Sequence, residues 1–312
     1  MDLFSSILVI FGLLVFEVVN SVDNAIINAD VLGTVSPRAR KWFMTWGLFF
    51  GVFVMRGLLP LVILWVAVNS VHATTLWGTF FAGEGGSTAE ALEIAAPILL
   101  SGSGIFLIFI FLHWLFLEEK HFGLPHEKFF FSQGVWFYAI SSVMLSVIVW
   151  FAIKINPVMA FGTTIGATVF FISHGFKQQA ELHEKKLLDK KGNVSDISKL
   201  IYLEFIDATF STDGVLGAFA FTFSIPLILI GNGVGAIVVR YLTIHNVERV
   251  KRYIFIKNGA MYSIFFLGSI MVMEAFGTEL PAWLAPLTTF GSIGWFYLKS
   301  KRYLEFAGVK AG

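Results

Sequence analysis

The chain has 312 residues, of which 56% are hydrophobic and only 14% charged, with a mean hydropathy of +0.77. A soluble domain carries about a quarter charged residues, so this composition excludes a water-facing globule and points to a surface that meets lipid. The net charge of +1 carries no electrostatic footprint for nucleic acid, and the lack of cysteine excludes disulfides and thiolate metal sites.

In hydrocarbon every backbone polar group must be bonded internally, which leaves helices or closed barrels. The apolar stretches here are long and continuous rather than short and alternating, so the expected class is an all-α, polytopic transmembrane helical bundle. The N-terminus carries Asp2 and no basic residue ahead of its apolar run, unlike a cleaved signal peptide.

Nine spans are expected, at Leu3–Val31, Met44–Asn69, Ile94–Leu117, Gly134–Ile153, Pro157–Phe176, Ile201–Phe223, Pro226–Thr243, Tyr253–Phe276 and Pro281–Leu298. With the N-terminus outside, the basic clusters Arg38, Arg40 and Lys41; Lys120 and Lys128; Lys177 to Lys199; Arg249, Lys251 and Arg252; and Lys299 to Lys310 all fall inside, and Lys154 alone falls in an outside segment. Lysine and arginine in short loops mark the cytoplasmic side, so the expected topology is N-out and C-in, in the cell (inner) membrane. Three further basic residues, Arg56, Arg240 and Lys257, fall within spans. Residues 71–93, glycine-rich and acidic, read as an external loop. The polar stretch 177–200 reads as a cytoplasmic linker between a first half, 1–176, and a second half, 201–312.

Each half opens on a helix with the same acidic pattern. Glu17, Ser21, Asp23 and Asn24 recur as Asp207, Ser211, Asp213 and Gly214. Five spans separate the copies, an odd number, so they enter the membrane from opposite sides, as in an inverted repeat whose shared site lies near the bilayer midplane. Positions four apart share one helix face, which puts Glu17, Ser21, Asn24 and Asn28 on a polar stripe, with Asn20 and Asp23 beside it. Asp207, Ser211 and Asp213 form a shorter one. The runs 20–24 and 211–214 favour local breaks in the helix, because Asn, Ser, Asp and Gly compete with helical bonding. A carboxylate in the membrane costs roughly 2.5–3.5 kcal/mol on insertion scales, and a duplicated set points to use rather than accident. The donors are carboxylate, amide and hydroxyl oxygens, which suit Mn²⁺, Mg²⁺ or Ca²⁺; the same carboxylates can carry protons. The competing reading is purely structural, with each acid neutralised by Arg56, Arg240 or Lys257.

These residues resemble the TerC family of membrane proteins, named for tellurium resistance, within the superfamily that includes the lysine exporters. Glu17, Asp23 and Asn24 are similar to that family's first motif, and Glu204, Asp207, Ser211 and Asp213 to its second. The resemblance spans both halves and implies the inverted-repeat fold and either manganese efflux or metal delivery to exported proteins. Gly214 departs from it, standing where the family more often has serine.

The remaining residues fit blander roles. Arg56, mid-span, is expected to pair with a motif acid, since guanidinium accepts nothing. Arg240 and Lys257 are expected to snorkel to the cytoplasmic face, and Glu274 to be solvated. His113, His121, His126, His174 and His183 read as interfacial, Met271 and Met273 as packing, and the tryptophans near span ends as anchors. The run Ser101, Gly102, Ser103 and Gly104 reads as close helix packing rather than a serine nucleophile. No zinc-protease motif is present, and no enzyme is expected. The expected function is export of a divalent cation, Mn²⁺ first, by alternating access at a site formed by Asp23, Asp213, Glu17, Asp207, Asn24, Ser21, Ser211 and Asn28, with protons as a coupling ion. A non-transporting scaffold of a stress-resistance complex and an exporter of small organic cations or amino acids are the open alternatives, and the chain is open to assembling as a homo-oligomer.

Overall fold

A computed structural model describes residues 3–69, 87–189, 195–245 and 252–306, apart from the side chains at 22, 23, 27, 68, 69, 87–91, 180–189, 210 and 243–245. Among the described residues every regular element is a helix. In chain order these are α1 (Leu3–Asn20), α2 (Val22–Leu32), α3 (Pro37–Ala67), α4 (Ser87–Leu117), α5 (Pro125–Ser132), α6 (Trp136–Ile155), α7 (Pro157–Asp189), α8 (Asp196–Ala218), α9 (Ile225–His245), α10 (Ile256–Ala275) and α11 (Leu284–Phe306). Seven helices are long and apolar enough to cross a membrane; α8 and α11 are also long but more polar, and they stand where the sixth and ninth spans are expected. The chain is a multi-pass helical membrane protein.

Helix ends assigned to one side of the membrane touch each other. Lys199 at the start of α8 donates to Thr34 O and Oγ1 in the α2–α3 turn (3.1 and 2.9 Å), and Ser36 N donates to Asp196 (3.2 Å). Ser36 also caps α3 by accepting from Ala39 N, with Pro37 in the first turn. Elsewhere on the same side, Lys257 pairs with Glu118, Lys299 donates to Gly123 O, and the fully buried Glu127 accepts from Gly123 N, Asn258 and Tyr262 at 2.6, 2.9 and 3.2 Å. Lys257 therefore ends on a carboxylate of the neighbouring segment rather than only reaching for water. At the opposite side α10 closes on Gly277, whose φ of 85° only glycine adopts without strain and whose N–H bonds back to Glu274 O.

Close packing runs through glycines. A Cβ on Gly104 of α4 would lie 2.9 Å from Gly268 O, and one on Gly268 of α10 would lie 2.9 Å from Gly104 O. Gly104 also faces Val272 while Gly268 faces Ile108, so α4 and α10 cross antiparallel and reciprocally, as two copies about a two-fold axis do. The Ser101 to Gly104 run serves this packing as expected: Gly102 sits 2.7 Å, as a virtual Cβ, from Gly162 O of α7.

Three expectations about the chain change. The cytoplasmic linker is shorter than 177–200, because α7 runs on to Asp189, through a Lys-, Leu-, Glu- and Gln-rich stretch of strong helix formers. The external loop of residues 71–93 falls largely on residues 70–86, outside the described residues, and α4 begins before its expected start. The predicted break at 20–24 is present as a bend at Ser21 (φ −92°, ψ 7°) through which backbone bonding continues. The predicted break at 211–214 is not: α8 is continuous, because Ser211 Oγ donates back to Asp207 O (2.6 Å) and so bonds within the helix instead of competing with it.

Candidate functional site

The two acidic helices meet antiparallel in the middle of the bundle. Phe16 lies against Gly217, Glu17 against Gly214, and Asn24 against Asp207, so advancing along α1–α2 means retreating along α8. The contact is reciprocal. Asn24 Nδ2 donates to Asp207 Oδ1 at 2.7 Å, joining the fourth position of the first copy to the first acid of the second. In the other direction, a Cβ on Gly214 would stand 2.6 Å from Glu17 Oε2. Glycine at 214, the departure from the resembled family, leaves the space that Glu17 occupies.

Each first acid is held by an arginine from the next helix of its half. Glu17 accepts from Arg56 Nε and Nη2 (2.9 and 2.6 Å) and from Ser21 Oγ (3.0 Å). Asp207 Oδ2 lies 3.4 Å from Arg240 Nη2 and 3.7 Å from Arg56 Nη1, which joins the two pairs into one network. Glu17, Arg56, Asp207 and Arg240 are at most 5% exposed. Arg56 also donates to Gly51 O, and Arg240 to Phe43 O while stacking on the Phe43 ring at 3.9 Å. Both carbonyls belong to π-helical stretches of α3, Phe43–Gly47 and Gly51–Leu58, whose wider turns recur at functional positions. Arg240 is thus a buried partner of the second motif and does not snorkel: α9 turns it toward α3 and Asp207, which supply the acceptors that water would otherwise provide.

A second duplicated pattern accompanies the arginines. Gly47, Gly51 and Arg56 recur, with identical spacing, as Gly231, Gly235 and Arg240. The glycines let each arginine-bearing helix lie directly on the acidic helix of the opposite half. A Cβ on Gly51 would be 2.8 Å from Asp207 Oδ2, and one on Gly235 would be 2.7 Å from Glu17 Cβ; Gly47 abuts Glu204 and Gly231 abuts Leu13. The sequence carried this signal, but in a pattern of glycines and arginine rather than acids.

Of the expected site residues, the structure brings together Glu17, Ser21, Asn24, Asn28 and Asp207 with Arg56 and Arg240. Asn28, Gly51, Arg56, Asp207 and Arg240 line a cavity of ≈ 10 Å³, room for about one water. Ser211 is buried on the same face of α8. Asp213, also buried, pairs with Lys177 of α7 at 2.5 Å. The side chain of Asp23 lies outside the described residues. Among the described residues no three His, Asp or Glu side chains converge as metal ligands, because arginine and lysine stand between the acids.

Among the described residues, the buried side-chain atoms left without a hydrogen bond include six oxygen acceptors near this centre, besides Trp114 Nε1, Ser141 Oγ and His174 Nε2 on other helices. Asn24 Oδ1, Asn28 Oδ1, both Glu204 carboxylate oxygens, Asp213 Oδ1 and Asn232 Oδ1 are buried without a hydrogen bond. Among the described residues, Glu204 has Arg240 at 3.8 Å as its ion-pair partner. The histidines expected at the interface divide: His113 and His174 face each other between α4 and α7, ring centroids 3.8 Å apart, and His126 bonds the Tyr262 hydroxyl at 2.7 Å.

Residues 22–304 match the family described as Protein of unknown function (DUF475). No curated protein and no solved structure matches the chain.

Proposed function

We propose that this chain, which belongs to the DUF475 family, is a secondary transporter, not an enzyme, that exports a divalent metal cation, Mn²⁺ first, across the cell (inner) membrane by alternating access. The observation that supports the reading is the excess of buried oxygen acceptors on the motif helices, with no hydrogen bond to satisfy them. Buried polar groups left unpaired cost about 1–3 kcal/mol each, and an oxygen-seeking cation satisfies several at once. Hard carboxylate, amide and hydroxyl oxygens suit Mn²⁺ and its alkaline-earth relatives.

In the proposed cycle the closed state keeps its acids neutralised from within. Arg56 holds Glu17, and Arg240 holds Asp207. The ion meets oxygens in succession rather than in one shell, since Glu204 and Asp213, nine residues apart, lie on opposite faces of α8: Asp213 Oδ1 offers one stop, and the Asn24, Asn28 and Glu204 oxygens another. The reciprocal crossings of α1–α2 with α8 and of α4 with α10 supply the pseudo-two-fold about which one half rocks against the other. Protons exchange for the ion on the same carboxylates, as competition for shared oxygens requires.

The test is efflux of ⁵⁴Mn²⁺ from proteoliposomes containing the purified chain, with and without an imposed proton gradient. Protein-dependent, saturable release supports the reading. Intact, correctly inserted protein that releases no divalent cation in either direction overturns it.

A further inference from the structure

We infer that Lys177 is a tethered cation that holds the ion's place on Asp213, so that an incoming divalent ion and the Lys177 ammonium compete for one carboxylate. The inference rests on the transporter reading above and deepens it by naming what the ion displaces.

Lys177 Nζ lies 2.5 Å from Asp213 Oδ2, while Asp213 Oδ1 is buried with no hydrogen bond. The carboxylate therefore has one oxygen neutralised and one left over, although a cation coordinated by both would satisfy it. The pairing also breaks the internal symmetry. The first acid of each copy is held by an arginine from a duplicated helix, Arg56 for Glu17 and Arg240 for Asp207. Lys177 comes instead from α7, the last helix of the first half, and has no counterpart in the arginine-bearing pattern.

The two kinds of counter-ion are built differently. Arg56 is fixed by bonds to both Glu17 and Gly51 O, and Arg240 by Phe43 O and its ring. Planar guanidinium forks of this sort are pre-organised and held, whereas an ammonium is a point charge on a flexible four-carbon stem. The Lys177 side chain is 15% exposed against 3% and 6% for the two arginines. It sits near the end of the apolar part of α7, just before the helix turns polar. From there it can swing its charge to the aqueous rim. A divalent ion carries twice the charge of the ammonium it replaces and can take both oxygens. Its arrival breaks the charge tie between α7 and α8, which couples occupancy to loosening of those helices on the cytoplasmic half.

Two measurements on the purified full-length chain test this. In the first, MnCl₂ is titrated against thermal unfolding for wild type, Lys177→Met and Lys177→Arg. If the tethered lysine occupies the acid about nine-tenths of the time, its removal should lower the Mn²⁺ midpoint about tenfold, while Lys177→Arg stays near or above the wild-type midpoint. In the second, which needs no variant, an amine-reactive ester is applied to wild type and its attachment to Lys177 is followed by peptide mass. MnCl₂ should speed labelling of Lys177, and leave labelling of Lys301 unchanged. A wild-type protein that binds Mn²⁺ with no change in Lys177 labelling, or a folded Lys177→Met that binds no more tightly, overturns the competition while leaving the transporter reading standing. A wild type that responds to Mn²⁺ in neither assay and releases none from vesicles removes both.

Discussion

Asn24 donates to Asp207 at 2.7 Å across the crossing of α2 and α8, and this bond joins the two copies of the acidic motif at their point of internal symmetry. Its reciprocal partner is the empty space over Gly214, into which Glu17 leans. Gly214→Ser should push Glu17 off Arg56, since the new Cβ would stand 2.6 Å from its carboxylate. Overpacking of this kind costs about 1–3 kcal/mol, read as a lowered Tm in detergent. An unchanged Tm would mean that Glu17 has another resting place.

Arg56 tests whether the acids are held structurally. Removing one partner of a buried ion pair costs about 3–5 kcal/mol because the other charge is stranded. Arg56→Met should therefore destabilise severely, Glu17→Gln less so, and the double variant should recover much of the loss. Additive single and double effects on Tm would show that the 2.6 Å pair is not energetically coupled.

Asp213→Asn separates function from stability. Its partner Lys177 can reach water, so the variant should fold and melt close to wild type yet lose Mn²⁺ efflux from loaded vesicles. Asp207→Asn should lose efflux and stability together, because Arg240 keeps only the looser Glu204 pair at 3.8 Å and Arg56 loses its second carboxylate. Full efflux by a stable Asp213→Asn variant would remove that residue from the ion path.

The glycine pairs make a graded series. Gly51→Ala and Gly235→Ala place a Cβ 2.8 Å from Asp207 Oδ2 and 2.7 Å from Glu17 Cβ, and each should lower Tm markedly. Gly175 has nothing within 4 Å of its virtual Cβ. Gly175→Ala in mid-helix should be neutral or stabilising by about 0.5–1 kcal/mol. Equal effects at all three positions would contradict the interlocked packing.

Lys120 gives a pH signature. In the α4–α5 segment it donates to Trp114 O and Leu115 O and lies over the Trp114 ring. Burial pushes its pKa down to about 8, partly opposed by Glu118 and Glu127. Between pH 8 and the ordinary lysine value of about 10.4, the unfolded chain holds a proton that the folded chain has released, so stability rises with pH across that window. Wild-type Tm should gain on that of Lys120→Met from pH 8 to pH 10, and parallel curves would contradict the assignment.

Much of the architecture was legible in the residues alone. Lipid imposes long apolar stretches, so the all-helical, multi-pass class, the polar stripe from Glu17 to Asn28 and the duplicated acids could be read in one dimension, although among the described residues seven helices rather than nine are long and apolar enough to span. What each acid faces could not, because a partner such as Arg240 or Lys177 is brought to it only when α9 or α7 packs against α8. Position relative to a span end suggested that Arg240 snorkels; tertiary packing instead supplied Asp207, Phe43 O and an aromatic ring, which together replace water. The break expected at 211–214 failed for a related reason, since a serine hydroxyl can bond its own helix as readily as it can interrupt one. Hydrophobic periodicity and charge placement, which follow from the solvent, were set by the sequence itself. The pairing of buried charges, which depends on distances between helices far apart in the chain, was decided only by the tertiary structure.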